Sequence, residues 1–143
     1  LAQFFNHLKE GVDELAKHFS PPFGALGISR GAFTALHLAA QSPHITTIVG
    51  FAPMLTLNKD VDLNIFSEIE NLKNKNIHFF VGHDDTLIGT HNVIKLQNKL
   101  LEENKAGNIH TKISPSIGRG GHGTSDPIFQ EGASWAINNL KSE

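Results

Sequence analysis

Short apolar runs alternate with longer amphipathic segments along the chain, and this alternation restricts the fold more than any other feature of the sequence. Four runs have the length and the β-branched or aromatic content of buried strands: residues 23–28, 45–52, 77–81 and 109–113. Helical periodicity is found in four other segments: residues 1–19, 31–41, 91–104 and a last segment that carries Phe129 and Leu140. Strands spaced by helices pair in parallel, because a parallel pair needs a long crossover connection. The sequence therefore predicts one α/β domain with about four parallel strands flanked by helices.

The apolar positions of two predicted helices indicate which of their faces lie inward. In the first helix they recur at three- and four-residue steps: Leu1, Phe4, Phe5, Leu8, Val12, Leu15 and Phe19. In the helix at 91–104 they are Val93, Leu96, Leu100 and Leu101. Residues 54–75 show no long periodicity, which predicts an irregular segment with a helical turn or two.

Composition excludes several classes of function. The 143 residues include 12 basic and 14 acidic side chains, for a net charge of −2, and such a balance argues against a surface that binds nucleic acid or anionic lipid. No apolar run approaches the length of a membrane span. The sequence contains no cysteine, no H-E-x-x-H pattern and no phosphate-binding G-x-x-x-x-G-K-[ST] loop, so neither a metal nor another cofactor is expected. The missing cysteines and the lack of a signal-peptide pattern favour a cytoplasmic location without fixing it.

One segment carries the strongest chemical signal. Gly27-Ile28-Ser29-Arg30-Gly31 reads G-x-S-x-G and lies where the first predicted strand ends and a buried helix begins. An ordinary Gly-Ser turn between a strand and a helix would have the same sequence pattern. In this context, however, the pattern is typical of a nucleophile elbow, a tight turn that exposes a serine hydroxyl. Gly27 and Gly31 are expected because side chains on either flank of the serine would collide in such a turn.

A serine hydroxyl is a poor nucleophile without a base, so this interpretation requires a histidine and a carboxylate further along the chain. Both occur after later predicted strands. Residues 82–88, Gly-His-Asp-Asp-Thr-Leu-Ile, follow the third strand, and His122 lies between two glycines after the fourth. Because the carboxyl ends of parallel strands meet at one edge of the sheet, the side chains are predicted to converge, with the Ser29 hydroxyl within about 2.6–3.2 Å of the imidazole.

These motifs together resemble the carboxyl-terminal part of an α/β hydrolase, in the branch of dienelactone hydrolases and prolyl oligopeptidase-like esterases. In that branch the elbow has the pattern G-x-S-x-G, and the acid turn has the pattern G-x-x-D-x-x-[VI]. The segment from Gly82 to Ile88 matches the second pattern, with Asp85 at the position of the acid. Its histidine commonly follows a glycine before the last helix, as His122 does. The resemblance covers essentially the whole chain.

The resemblance implies a role for each of these residues. Ser29 would attack an acyl carbonyl, His122 would take the serine proton and return it to the leaving group, and Asp85 would hold the imidazole in the required tautomer. The backbone N–H of Arg30 would be one donor of the oxyanion hole. The implied substrate is a small-molecule ester or a peptide, and the sequence does not separate the two. A hydrolase-like binding protein without catalysis is the alternative from another class.

Other residues compete for two of these roles. Asp84 would be the acid if the turn were shifted by one residue. Asp60 or Asp62 would be the acid if that residue followed the second strand. His83, which flanks the acid turn, is the main alternative to His122. His37, on the helix after the elbow, is interpreted as a core residue.

The α/β-hydrolase fold implied by the resemblance has eight strands, and about four are predicted in this chain. Residues 1–143 are therefore interpreted as one partial α/β-hydrolase domain, from which the amino-terminal strands and the oxyanion loop are absent. The first predicted strand would then expose an apolar edge, and only one oxyanion donor would lie within the chain.

Overall fold

A computed structural model of the chain describes residues 2–56, 64–103 and 108–141. Its helices and strands follow the predicted alternation. In chain order they are α1 (Ala2–His18), β1 (Phe23–Ile28), α2 (Arg30–Gln41), β2 (Ile45–Phe51), β3 (Asn76–Gly82), α3 (Thr90–Glu103), β4 (Ile109–Ser114) and α4 (Asp126–Lys141). Two short 3-10 turns, Ile65–Glu68 and Glu70–Leu72, lie between β2 and β3, where helical turns are predicted. A third, Arg119–Gly121, lies between β4 and α4.

The four strands form one parallel sheet in the order β1-β2-β3-β4. The predicted fold class is thus confirmed: α/β, with four parallel strands flanked by helices. Because all three pairings are parallel, every carboxyl end lies at the same edge of the sheet. The loops that leave this edge carry all three side chains of the predicted site.

Both faces of the sheet are covered by helices. Ile48 and Phe79 point to the side on which α1, α2 and α3 pack, whereas Val49 and Phe80 point to the side covered by α4. This explains why β2 and β3 read as nearly continuous apolar runs, since a strand with two buried faces has no polar alternation. The larger core cluster lies on the side of the three helices.

The strand β1 lies at the edge of the sheet, and among the described residues it pairs only with β2. Leu26 and Ile28 are 36% and 46% exposed on its open face. An apolar edge was predicted for this strand, and the structure has it.

Some predicted inward positions are wrong. In α1, Phe5 and Val12 are buried, but Phe4 and Leu15 are about half exposed, because the apolar stripe is wider than the contact of this helix with its neighbours. Phe19, which was predicted to belong to the same helix, follows α1 and is also exposed. In α3, Leu101 is exposed while Leu100 is buried, since successive residues of a helix point about 100° apart.

A partly buried lysine, Lys75, lies just before β3 and links it to the end of α2 and the start of β2. The Lys75 ammonium donates hydrogen bonds to the carbonyl oxygens of Ser42 and Ile45, at 2.9 and 2.6 Å. Burial lowers the pKa of Lys75 to about 8. Nothing in the local sequence pattern indicated this contact.

Candidate active site

Three side chains from three strand ends meet above the sheet. Ser29 directly follows β1, Asp85 lies three residues after β3, and His122 lies in the loop between β4 and α4. The Ser29 Oγ is 2.8 Å from His122 Nε2, and His122 Nδ1 is 2.7 Å from Asp85 Oδ2. The structure thus brings together the three residues that the sequence singles out. Because a carboxylate only accepts, Nδ1 carries the imidazole proton, and Nε2 is then free to accept the serine proton.

Ser29 lies in a strained turn between β1 and α2. Its φ and ψ are 56° and −114°, a conformation that costs a residue other than glycine about 1–3 kcal/mol. The surrounding backbone holds it there: the Ser29 N–H donates to Phe51 O at 2.9 Å, and the Ser29 carbonyl accepts from the Met54 and Ala32 N–H groups, each at 3.1 Å. Both β2 and the segment after it therefore fix the position of the hydroxyl.

The two glycines beside the serine differ in their surroundings. A Cβ on Gly27 would lie 2.2 Å from the carbonyl oxygen of Gly31, so Gly27 has no room for a side chain. A Cβ on Gly31 would meet no atom of the described residues within 4 Å. The predicted steric need for glycine is therefore seen at Gly27, whereas no contact among the described residues excludes a Cβ at Gly31.

The carboxylate of Asp85 is fully buried and fully bonded. One oxygen faces His122, and the other accepts the N–H groups of Leu87 and Ile88 at 3.0 and 2.9 Å. These two bonds fold the turn after the aspartate back onto its side chain. The carboxylate therefore keeps one fixed orientation toward the imidazole.

Thr90 supports the acid turn and was not predicted. Its hydroxyl accepts the Asp85 N–H at 3.0 Å and donates to Gly82 O at 2.7 Å. It is also the first residue of α3. A threonine just before a predicted helix is a signal for a backbone-bonding hydroxyl, and this signal was available in the sequence.

The competing residues lie elsewhere. Asp84 is exposed, and its neighbour Asp85 makes the bond to the imidazole. His83 is exposed and accepts the Ser116 N–H at 3.3 Å through Nδ1. His37 lies between aromatic rings on the opposite side of α2 from solvent, 3.8 Å from a Glu68 oxygen, and burial lowers its pKa. The positions of Asp60 and Asp62 fall outside the described residues.

Arg30 is the first residue of α2, and its side chain is exposed. Because the first N–H of a helix has no acceptor within the helix, the Arg30 N–H is available to a group next to Ser29. The same helix end also favours negative charge at this position. Both properties fit the predicted oxyanion donor.

Neither a membrane-spanning helix nor a metal-binding cluster is found in the described ranges. None of the helices there has both the length and the apolar character needed to cross a membrane. The same ranges contain no group of three or more His, Cys, Asp or Glu side chains placed to hold a metal ion.

Comparisons with known proteins find similarity in structure. No protein-family model and no curated protein matches the sequence. The solved structure of the Pyrococcus furiosus esterase Pf2001 superposes with a TM-score of 0.71 at 17% identity, and the match covers 95% of this chain and 60% of the esterase. The esterase domain of a Rhodothermus marinus protein gives 0.66 at 14% identity, covering 96% of this chain and 68% of the other. An acylaminoacyl peptidase of Pyrococcus horikoshii gives 0.65 at 13% identity, covering 82% and 23%.

The chain thus spans about 60% of the length of the Pf2001 esterase and a smaller share of the peptidase. At these identities the likeness concerns the fold. The order of the parallel strands and the covering helices agree with it. The chain has the fold of the carboxyl-terminal part of an α/β hydrolase, and its structure is similar to those of these two esterases.

Proposed function

We propose that the chain carries the reacting side chains of a serine hydrolase that cleaves a carboxylic ester through an acyl-enzyme. The observation that carries this proposal is the pair of hydrogen bonds from Ser29 to His122 and from His122 to Asp85, at 2.8 and 2.7 Å. A hydroxyl, an imidazole and a buried carboxylate in this order meet the needs of nucleophilic acyl transfer.

In the first half-reaction, the Ser29 Oγ forms a bond to the ester carbonyl carbon while its proton passes to His122 Nε2. The carbonyl electrons move onto the oxygen, and the Arg30 N–H donates a hydrogen bond to the resulting oxyanion. Asp85 stabilises the imidazolium that forms. The carbon–oxygen bond to the alcohol then breaks, and His122 gives its proton to the departing oxygen.

In the second half-reaction, water attacks the acyl-enzyme. His122 takes the water proton, the new tetrahedral intermediate collapses, and Ser29 leaves with a proton from the imidazolium. The products are a carboxylic acid and the free enzyme. The mechanism uses water and the three side chains, and it involves no cofactor.

A peptide is the second candidate substrate. The same three side chains cleave an amide by the same steps, with His122 protonating an amine instead of an alcohol. The similarity in fold to an acylaminoacyl peptidase supports this alternative. A third interpretation, a hydrolase-like binding protein without catalysis, is separated from both by the covalent labelling described below.

We further propose that residues 1–143 are part of a larger hydrolase domain, in which another segment supplies more strands and a second oxyanion donor. The open edge of β1 and the exposed Leu26 and Ile28 side chains offer a place for a neighbouring strand. The similar esterases are also longer than this chain, which covers 60% and 68% of them.

The test is covalent labelling with an organophosphonate probe, located by mass spectrometry, together with hydrolysis of short-chain aryl esters. We expect the label on Ser29, no label in Ser29→Ala, and unchanged labelling in Ser67→Ala, since Ser67 is exposed and lies on a different segment. Persistent labelling of Ser29→Ala would assign the chemistry to another residue. No labelling of any form of the protein would favour the binding protein.

The same experiment tests the proposed second donor. Residues 1–143 alone are expected to react about 10²–10³ times more slowly than a chain extended by the proposed upstream segment, which is the usual cost of losing one oxyanion donor. Full turnover by residues 1–143 alone would contradict this part of the proposal, because both donors would then lie within them.

A further inference from the structure

The loop that carries His122 makes a second set of contacts with the acid turn, apart from the bond between His122 and Asp85. We call residues 115–125 the histidine loop and residues 82–89 the acid turn. The histidine loop is rich in glycine, and Gly118, Gly120 and Gly121 all have positive φ values, of 80°, 64° and 70°. Glycine loses more conformational freedom on ordering than any other residue, so such a loop needs contacts to keep one conformation.

Thr86 makes the first of these contacts. Its backbone N–H and its hydroxyl both donate to the carbonyl oxygen of Gly120, at 2.7 and 3.0 Å. Gly120 is two residues before His122. Thr86 is the residue after Asp85, so one turn of backbone carries both the carboxylate that faces the imidazole and the donors that hold its loop.

Ser116 makes the second contact, at the start of the loop. Its Oγ accepts the Asp84 N–H at 2.9 Å, and its own N–H donates to His83 Nδ1 at 3.3 Å. The two residues that compete with Asp85 and His122 in the sequence are therefore joined to the histidine loop by Ser116.

The two backbones also touch between these contacts. A Cβ on Gly121 would lie 2.1 Å from Asp84 O, and a Cβ on Gly82 would lie 2.7 Å from Gly121 O. The loop therefore packs against the acid turn at the residue before His122. The bonds of Thr86 and Ser116, together with the close packing between them, leave His122 little freedom to move away from Asp85.

We propose that Thr86 and Ser116 are positioning residues, which hold the histidine loop against the acid turn so that His122 stays within reach of both Asp85 and Ser29. This inference rests on the function proposed above. Asp85 itself is fixed by Leu87, Ile88 and Thr90, so the two contacts act on the histidine and not on the acid. A misplacement of about 1 Å in such a site costs about 10²-fold in rate.

The first experiment compares Thr86→Val with Thr86→Ser in ester hydrolysis. Valine keeps the shape and the backbone N–H but loses the hydroxyl bond, and we expect kcat to fall about 2- to 10-fold with KM nearly unchanged. Serine keeps the hydroxyl and is expected to restore kcat. Thr111→Val is the matched control, since the buried Thr111 hydroxyl has no hydrogen-bond partner among the described residues, and it should leave kcat and KM as they are.

Ser116→Ala is expected to lower kcat in the same way. Because both contacts hold one loop, the double variant with Thr86→Val should lose more than the product of the two single effects. A loss of stability with unchanged kcat in both single variants would mean a purely structural role and overturn the proposal. Failure of Thr86→Ser to restore kcat would overturn the role of the hydroxyl.

A second readout does not depend on turnover. The proton between His122 Nδ1 and Asp85 Oδ2 should give a proton resonance far downfield of the amide signals. We expect this resonance to be sharp in the wild type and in Thr111→Val. In Thr86→Val and Ser116→Ala we expect it to be broader than in the wild type, because the loop opens more often. Broadening in a protein that hydrolyses no ester would support the positioning and refute the proposed function. An unchanged resonance in both variants would refute the positioning.

Discussion

His122 and His78 are two histidines of one sheet in contrasting surroundings. His122 lies beyond the carboxyl end of β4, with a carboxylate on one ring nitrogen and a hydroxyl on the other. His78 lies in the middle of β3, with its ring stacked 4.1 Å from Phe80 and edge-on to Trp135 at 5.0 Å. Its Nδ1 bonds to the carbonyl oxygen of Phe79 at 3.0 Å.

The difference shows what makes an imidazole able to act as a base. His122 has a fixed acceptor for its proton and a donor at the opposite nitrogen, and so it can exchange protons with a substrate. His78 is half-buried among aromatic rings, and burial lowers its pKa, which keeps the ring neutral. The nearby carboxylate of Glu131 is paired with Lys112 at 2.6 Å. Position relative to the strand end thus separates the histidine that is proposed to react from a histidine that packs.

The largest effect should come from exchanging each histidine for glutamine. His122→Gln removes the base, so we expect the rate of ester hydrolysis to fall about 10⁶-fold, more than for the loss of the acid. His78→Gln should leave the rate within about twofold of the wild-type rate, because among the described residues the His78 side chain makes no contact with Ser29, Asp85 or His122. Steady-state kinetics on both variants checks this. Equal losses in the two would contradict the contrast between the two sites.

The next largest effect concerns the partner of His122. Asp85→Asn keeps the size of the side chain but favours the wrong tautomer of the imidazole, with the proton on Nε2. A loss of about 10⁴-fold in kcat is expected. Asp84→Asn changes an exposed carboxylate that does not face the imidazole, so a small effect is expected. A larger loss in Asp84→Asn would transfer the role of acid to Asp84, in spite of the 2.7 Å bond to Asp85.

The strands and their parallel pairing could be predicted because each depends on local pattern. Runs such as Ile77–Val81 are short, apolar and β-branched or aromatic, and the helices between them force parallel pairing. The edge of the sheet at which Ser29, Asp85 and His122 meet follows from that pairing. Their spacing in the sequence was therefore enough to predict that they converge, while their catalytic roles stay predictions.

Contacts between segments that are distant in sequence could not be predicted in this way. The bonds from Thr86 to Gly120 and from Lys75 to Ser42 join segments more than 30 residues apart, and no local pattern encodes them. Exposure of Leu15 and Leu101 depends on how far a neighbouring helix reaches, which periodicity does not give. The surroundings of a Cβ at Gly31 likewise depend on the packing around the elbow, which no local pattern gives.

The smallest effect, on the stability of the fold, follows from the neutral state of His78. Burial is the main cause of its lowered pKa; His110 and Lys112 act in the same direction, whereas the bond to Phe79 O and the charge of Glu131 raise it. The unfolded chain then binds more protons than the folded one below the usual histidine pKa of about 6.5. Stability should therefore be constant well above that pH and should decrease as the pH falls through it.

Urea unfolding between pH 5 and 8, followed by the fluorescence of Trp135 and by circular dichroism, measures this slope. Trp135 is the only tryptophan of the chain, so its emission reports on the packing of α4 over His78. One proton accounts for at most about 1.4 kcal/mol per pH unit. His78→Gln should reduce the slope, and His37→Gln should reduce it independently, because burial also lowers the pKa of His37. If His78→Gln lowers the stability equally at every pH, His78 does not titrate differently in the folded state, and its contrast with His122 lies in geometry alone.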